Sequence, residues 1–328
     1  DARDDRGDRD RRDRRASLSR SHATDPAPGG ALTFARVFSL SLSVSLFSES
    51  RTHLEYFLFM FPPKIPQIVQ YTNKLGKQKY SRWVDTTRGE LLRFMGLWLM
   101  MSTMGYDNKR EAFEQEWIVQ DTVPGPKLKR FVHYARFSQL SNCISFADMT
   151  VDIPVSDPWY PIREFVNSFN NIRKANIIIG WLLCIDETMW KWSGLGLPHQ
   201  SWIPRKPEPL GVESKTVADV ESGILLYIEL QEGKHRMQAM EYTETYQATT
   251  ACTLRCCKNW FKSNAAVIGD SWFASVQTAV ALAANGLHFI GNVKTATKGF
   301  PKKWLSQKLK DSDRGTSIYA KATGFYIC

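Results

Sequence analysis

Two stretches decide the fold: WLLCIDETMWKW at residues 181–192 and AAVIGDSWFAS at residues 265–275. In each, a short apolar run ends in an aspartate. Trp181, Leu182, Leu183, Cys184 and Ile185 lead into Asp186, and Ala265, Ala266, Val267, Ile268 and Gly269 lead into Asp270. Runs of this length and composition read as strands.

Working outward, TVADVES (216–222) and GILLYIELQ (223–231) read as two more strands, with Ser222 and Gly223 at a hairpin-like turn between them. TETYQATTACTLRCCKNWF (243–261) reads as a helix, SVQTAVALAANG (275–286) as a second helix stopped by Gly286, and LHFIGNVK (287–294) as a last strand. From residue 181 the order is strand, strand, strand, helix, strand, helix, strand. Three antiparallel strands leading into parallel βα units is the order of an RNase H-like mixed α/β sheet. There the first strand is central and the fourth lies parallel beside it, so Asp186 and Asp270 converge.

A carboxylate that interrupts a buried strand is costly unless it is paired or holds a cation. Two that converge on one edge ask for a metal. Mg²⁺ or Mn²⁺ fits, because hard divalent ions take carboxylate oxygens and keep waters for a phosphate to displace. Two such ions about 3.5–4 Å apart stabilise the attacking and leaving oxygens of a phosphoryl displacement. The competing reading is local: Asp is a favoured helix cap, and Asp270 precedes a helical stretch beginning near Ser271. Glu187 adjoins Asp186, and successive strand side chains face opposite sides, so Glu187 is expected to pair with a base outside the metal site.

Residues 52–180 have a different, helical pattern. DTTRGELLRFMGLWLMMSTMG offers Thr86 or Thr87 as cap and Glu90 in the first turn, with Leu91, Phe94, Leu97, Trp98 and Met101 at helical spacing before Gly105. KLKRFVHYARFSQLSN and WYPIREFVNSFNNIRKAN supply two further helices. Ahead of this domain, residues 1–51 form a low-complexity tail whose first thirty residues alternate Asp and Arg before turning to Ser, Pro and Gly, a composition that does not repay the entropy of ordering. Residues 31–47 come nearest to a membrane span, but interleaved serines and Arg36 break them, and neither a span nor secretion is expected.

The residues now become recognisable. CIDETMWKW resembles the first-aspartate motif of piggyBac transposases, IPRKPEPLGVESK their following Pro-x-Lys-Pro and Gly segment, and IGDSWFAS the motif around their second aspartate. RGELLRFMGLWLMM, RFVHYARFS, DPWYPIREFVNSFN and GNVKTATKGFP match in the family's order. The resemblance implies DNA cleavage and strand transfer at a three-aspartate, divalent-metal site, on TTAA-type target DNA, by a possible homodimer in the nucleus. Asp186 and Asp270 map onto the first two metal ligands. Arg205 and Lys206 would lie near the active edge and meet DNA phosphates, with Lys215 a further candidate, and Lys294 and Lys298 would add contacts beyond the last strand. The helical region would then serve dimerisation or DNA binding, and residues 181–328 would be the catalytic core.

The departures matter equally. The family's third aspartate lies downstream of the last strand seen here, and the only later acids, Asp311 and Asp313, sit in the hydrophilic SQKLKDSDRG. The core is therefore expected to stop short of the third ligand, leaving a transposase-derived protein whose chemistry is incomplete. The alternative is a non-catalytic, domesticated or decaying DNA-binding protein. A formal net charge of +10 is compatible with both. The six cysteines include no CxxC pair, so no structural zinc is expected, although Cys252 and Cys256 share a helix face with Cys257 beside them.

Overall fold

A computed structural model describes residues 52–327 apart from 63, 104–107, 115–116, 119–122, 125–126, 152–156, 192–198, 205, 207–208, 295, 319 and 323–324. The N-terminal tail, the run at 31–47, Gly105 and Arg205 thus lie outside the described residues.

Helices come first. α1 (His53–Met60) starts at a capping box, in which Thr52 Oγ1 accepts from the Glu55 N–H at 3.3 Å and Glu55 Oε2 accepts from the Thr52 N–H at 2.6 Å. α2 (Ile65–Lys79) carries a proline in its first turn, where no N–H is needed. α3 (Arg88–Thr103) starts as its sequence predicts: the Glu90 N–H donates to Thr87 Oγ1 at 3.2 Å, and Thr86 Oγ1 donates to the Glu90 carboxylate. A short α4 (Lys109–Glu114) and α5 (Tyr134–Cys143) complete a helical core in which Ile68, Leu91, Phe94, Leu97, Phe137 and Leu140 are fully enclosed. Burying each such side chain contributes about 1.5–3 kcal/mol. α6 (Tyr160–Asn176) follows.

The sheet comprises β1 (Leu182–Lys191), β2 (Ser201–Trp202), β3 (Leu210–Asp219), β4 (Leu225–Leu230), β5 (Ala266–Gly269) and β6 (His288–Gly291). Its order is β4-β3-β1-β5-β6, with β2 added to the start of β3. β1 pairs antiparallel with β3 and parallel with β5, and β5 pairs parallel with β6. This is the expected RNase H-like arrangement with β1 at the centre. The β3–β4 turn is held by Asp219, whose carboxylate accepts from Ser222 N and Oγ, while Gly223 takes the left-handed φ of 68° that the turn requires.

α7 (Lys234–Gln238) and α8 (Ala248–Cys257) connect β4 to β5, and α9 (Val276–Ala284) connects β5 to β6. The main core joins Leu183, Ile185, Val217 and Val267 of the sheet to Leu254 of α8 and Leu282 of α9. On the other face α6 lies against β3 and β4 through Trp159, Val166, Val212 and Leu230. α10 (Lys302–Leu309) follows β6. No helix among the described residues is long and apolar enough to cross a membrane.

The structure refines several boundaries. The second strand begins at Leu210, ahead of the TVADVES run, because Glu213 and Lys215 disguise a segment that pairs with β1 along its whole length. The helix read over 243–261 shrinks to α8 plus one 3-10 turn at Lys258–Trp260, since Tyr242, at φ 72°, starts a turn and not a helix. Trp98, read as core, is partly exposed and carries the Lys109 ammonium over its ring at 4.6 Å. α6 does not remain with the helical domain: it covers the sheet and touches both bodies, with Phe165 against Phe61 and Phe146.

Candidate metal centre

The last Cα partners of the parallel β1–β5 pairing are Ile185 and Gly269. One residue further along stand Asp186, still within β1 and paired with Thr216 of β3, and Asp270, just past the end of β5, so both aspartates stand at the same level of the sheet. Paired residues of parallel strands point to the same face. Ile185 points into the core, and a Cβ on Gly269 would meet Ile185 Cγ2 and Phe273 Cβ, each at 3.1 Å. The aspartates therefore point away from the core.

Their exposure corrects the argument from buried charge. Both aspartates are exposed without a penalty for burial: β5 ends just before Asp270, so the β1–β5 pairing stops at Ile185 and Asp186 has no β5 partner beside it. Asp186 Oδ1 accepts from the Glu187 N–H at 2.7 Å, and Asp270 Oδ1 accepts from the Trp272 N–H at 2.8 Å. These bonds hold each carboxylate by one oxygen, and among the described residues the other oxygen makes no hydrogen bond. Among the described residues no lysine or arginine forms an ion pair with either aspartate. A pair of hard, uncompensated oxygen donors is the donor chemistry that Mg²⁺ or Mn²⁺ takes. Asp270 does cap something, but not α9: that helix starts at Val276 with Ser275 accepting from the Thr278 N–H, and Asp270 instead closes the turn that precedes it.

Behind the aspartates, on the core side, lies a buried ionic group. Glu187 and Lys215 are direct cross-strand partners, with Nζ 2.9 Å from Glu187 Oε1, and Lys215 is also bound by Glu213. Lys206 reaches the same carboxylate at 3.5 Å. Burial by itself would raise the Glu187 carboxyl, but the hydrogen bond and charge of Lys215, with the charge of Lys206, outweigh it and hold it below its usual range. Burial likewise disfavours the Lys215 cation, yet its two glutamates hold its pKa above the ordinary value. The expected partner for Glu187 is thus Lys215, joined by Lys206.

The cations named from the sequence fall into two groups. Lys206 stands beside the residue that follows Asp186, and Lys294 and Lys298 are exposed on the segment leaving β6. β1, β5 and β6 run parallel, so that segment departs from the edge bearing the aspartates. Lys215 differs: only 6% exposed, its ammonium is already engaged by two carboxylates and the Trp272 ring at 3.7 Å. The sequence offered no sign of this, since the lysine's inward direction depends on strand register. Asp311 and Asp313 lie exposed in the turn after α10.

A second cluster brings Glu229, Cys252 and Cys256 within 4.8 Å of one another in the core. It is accounted for without a metal. Both Glu229 oxygens accept from Arg255, each at 2.8 Å, and Cys252 Sγ donates to Glu229 at 3.3 Å. A hydrogen bond to Cys252 and then burial push the Cys256 thiol well up, and burial raises Cys257.

Strand order and the placement of the two aspartates define an RNase H-like core of the kind that DDE-type transposases use, generally with divalent metal. The family model described as "Transposase IS4" matches residues 52–325, and the chain belongs to that family. Among solved structures it is similar to a piggyBac transposase, seen by cryo-EM in a synaptic complex with hairpin DNA, at 21% identity and a TM-score of 0.64. The match covers 82% of this chain and 56% of that one, so the chain spans a little over half the length of the relative whose fold it shares. No curated protein matches it.

Proposed function

We propose that this chain binds DNA and a divalent cation together at the edge where β5 and β6 end alongside β1, with Asp186 and Asp270 as cation ligands. The observation that carries this reading is the Ile185–Gly269 pairing, which sets two uncompensated aspartates side by side. A bound Mg²⁺ or Mn²⁺ would polarise a phosphate and orient water for in-line displacement. Lys206, Lys294 and Lys298 supply phosphate contacts around the edge, with Arg205 next to Lys206 in the chain. DNA cleavage and strand transfer are the family chemistry to which the site corresponds. TTAA-type target DNA, pairing of two copies and action in the nucleus go with this reading.

A second reading, binding without cleavage, is favoured by one observation. Among the described residues no third His, Cys, Asp or Glu side chain completes a metal-ligating group with Asp186 and Asp270.

Calorimetric titration of Mn²⁺ into the protein, together with anisotropy of labelled duplex DNA at several salt concentrations, tests both parts. Asp186→Ala and Asp270→Ala are each expected to abolish Mn²⁺ binding; retention in both rejects the site. Lys294→Ala and Lys298→Ala are each expected to reduce the slope of log affinity against log salt by about 1. Unaltered slopes would remove those lysines from the interface. Strand cleavage of the same DNA by this chain would reject the second reading.

A further inference from the structure

We propose that Lys215 is a positioning residue for the aspartate pair, its one buried ammonium tying the residue after Asp186 and the turn after Asp270 to a common point. This rests on the reading of Asp186 and Asp270 as cation ligands.

Lys215 belongs to neither aspartate's strand; it comes from β3 and points into the core. On one side it grips Glu187, its cross-strand partner and the immediate neighbour of Asp186. On the other it lies 3.7 Å from the centre of the Trp272 ring, a cation–π contact. The Trp272 N–H in turn donates to Asp270 Oδ1 at 2.8 Å. The connection from Asp186 through Glu187, Lys215 and Trp272 to Asp270 uses three separate segments of chain and meets at a single atom. The β1 side is fixed a second time, because Thr216, next to Lys215, donates its hydroxyl to the Asp186 carbonyl at 3.2 Å.

Charge alone predicts the opposite of what positioning predicts. The group comprises Lys206, Lys215, Glu187 and Glu213, and removing one lysine makes the neighbourhood of the aspartates more negative. On electrostatics a divalent cation would then bind more tightly. If Lys215 instead sets the spacing and direction of the carboxylates, its loss weakens binding although the site has gained negative charge. Partners behind metal ligands are typically worth about 10–100-fold in metal affinity.

The test is the Mn²⁺ dissociation constant of the full 328-residue chain by titration calorimetry, with circular dichroism to establish folding. Lys215→Met, which keeps length and apolar stem, is expected to weaken binding about tenfold or more. Equal or tighter binding overturns the proposal. Trp272→Phe retains a ring face for the ammonium and is expected to bind within about twofold of the parent, whereas Trp272→Leu is expected to fall with Lys215→Met. Should Lys215→Met fail to fold, this tryptophan pair decides, and equal affinities for its two members overturn the proposal. Asp186→Asn is the zero reference. A parent protein with no Asp186-dependent Mn²⁺ binding defeats the metal reading and this inference with it, whereas normal parental binding with an unaffected Lys215→Met defeats only the inference.

Discussion

Ile185 and Gly269 are Cα partners at the end of the parallel β1–β5 pairing, and an aspartate follows each. A Cβ on Gly269 would lie 3.1 Å from both Ile185 Cγ2 and Phe273 Cβ, closer than a packed core readily allows. Gly269→Ala is therefore expected to lower stability by about 1–3 kcal/mol and to weaken Mn²⁺ binding by moving β5 away from β1. Urea denaturation and calorimetry check the two effects. Parental values for both would mean that the close approach does not set the spacing of the aspartates.

In the helical domain, α5 is fastened to the start of α3 by Arg136. Its Nε and one terminal nitrogen donate to the two Glu90 oxygens at 2.9 and 2.7 Å, and the guanidinium lies over the Trp83 ring at 4.5 Å. The Arg136 hydrogen bond holds the Glu90 carboxyl below its ordinary 4.5 against the opposing effect of burial. A depressed carboxyl stabilises the fold fully above its unfolded pKa, and that contribution is lost as pH falls through the folded value. Arg136→Met is expected to cost about 2 kcal/mol near neutrality, and the gap from the parent should close under acid conditions below about pH 4. Denaturation curves across that range measure it; a gap that does not change with pH would assign the effect of Arg136 to packing alone.

The outer edge of β4 is guarded by a side chain. Asn170 of α6 accepts from the Ile228 N–H and donates to the Ile228 carbonyl, both at 2.9 Å, as a neighbouring strand would. An open edge is a template for pairing with another chain, and this amide blocks it. Asn170→Ala is expected to cost about 1 kcal/mol, because the adjoining cleft lets water replace part of the loss. Asn170→Asp is expected to cost more, since it keeps an acceptor for the N–H but sets a carboxylate against the carbonyl. Thermal melts rank the variants, and light scattering reports whether the freed edge promotes association. An Asp variant as stable as the parent would contradict the assigned donor and acceptor roles.

Much of the candidate site was legible in the sequence because it depends on local pattern. Apolar runs ending in Asp186 and Asp270, and the order of strands and helices around them, require only side-chain chemistry and periodicity, and the sheet order agrees with them. The partner for Glu187 was legible in kind, from the alternation of strand faces. Its identity was not, because Glu187 meets Lys215 through the β1–β3 register, across 28 residues of chain. The same holds for the guard on Ile228, which comes from Asn170, 58 residues away.

The sequence by itself determined the order of the sheet strands and the family, and it marked the two aspartates as candidates. Tertiary structure decided that the aspartates are exposed, that Lys215 faces inward while Lys294 and Lys298 face solvent, and that α6 covers the sheet. The physical reason is one of range. Periodicity records which face of an element is apolar, whereas exposure and partnership depend on which strands lie alongside each residue and what packs against it.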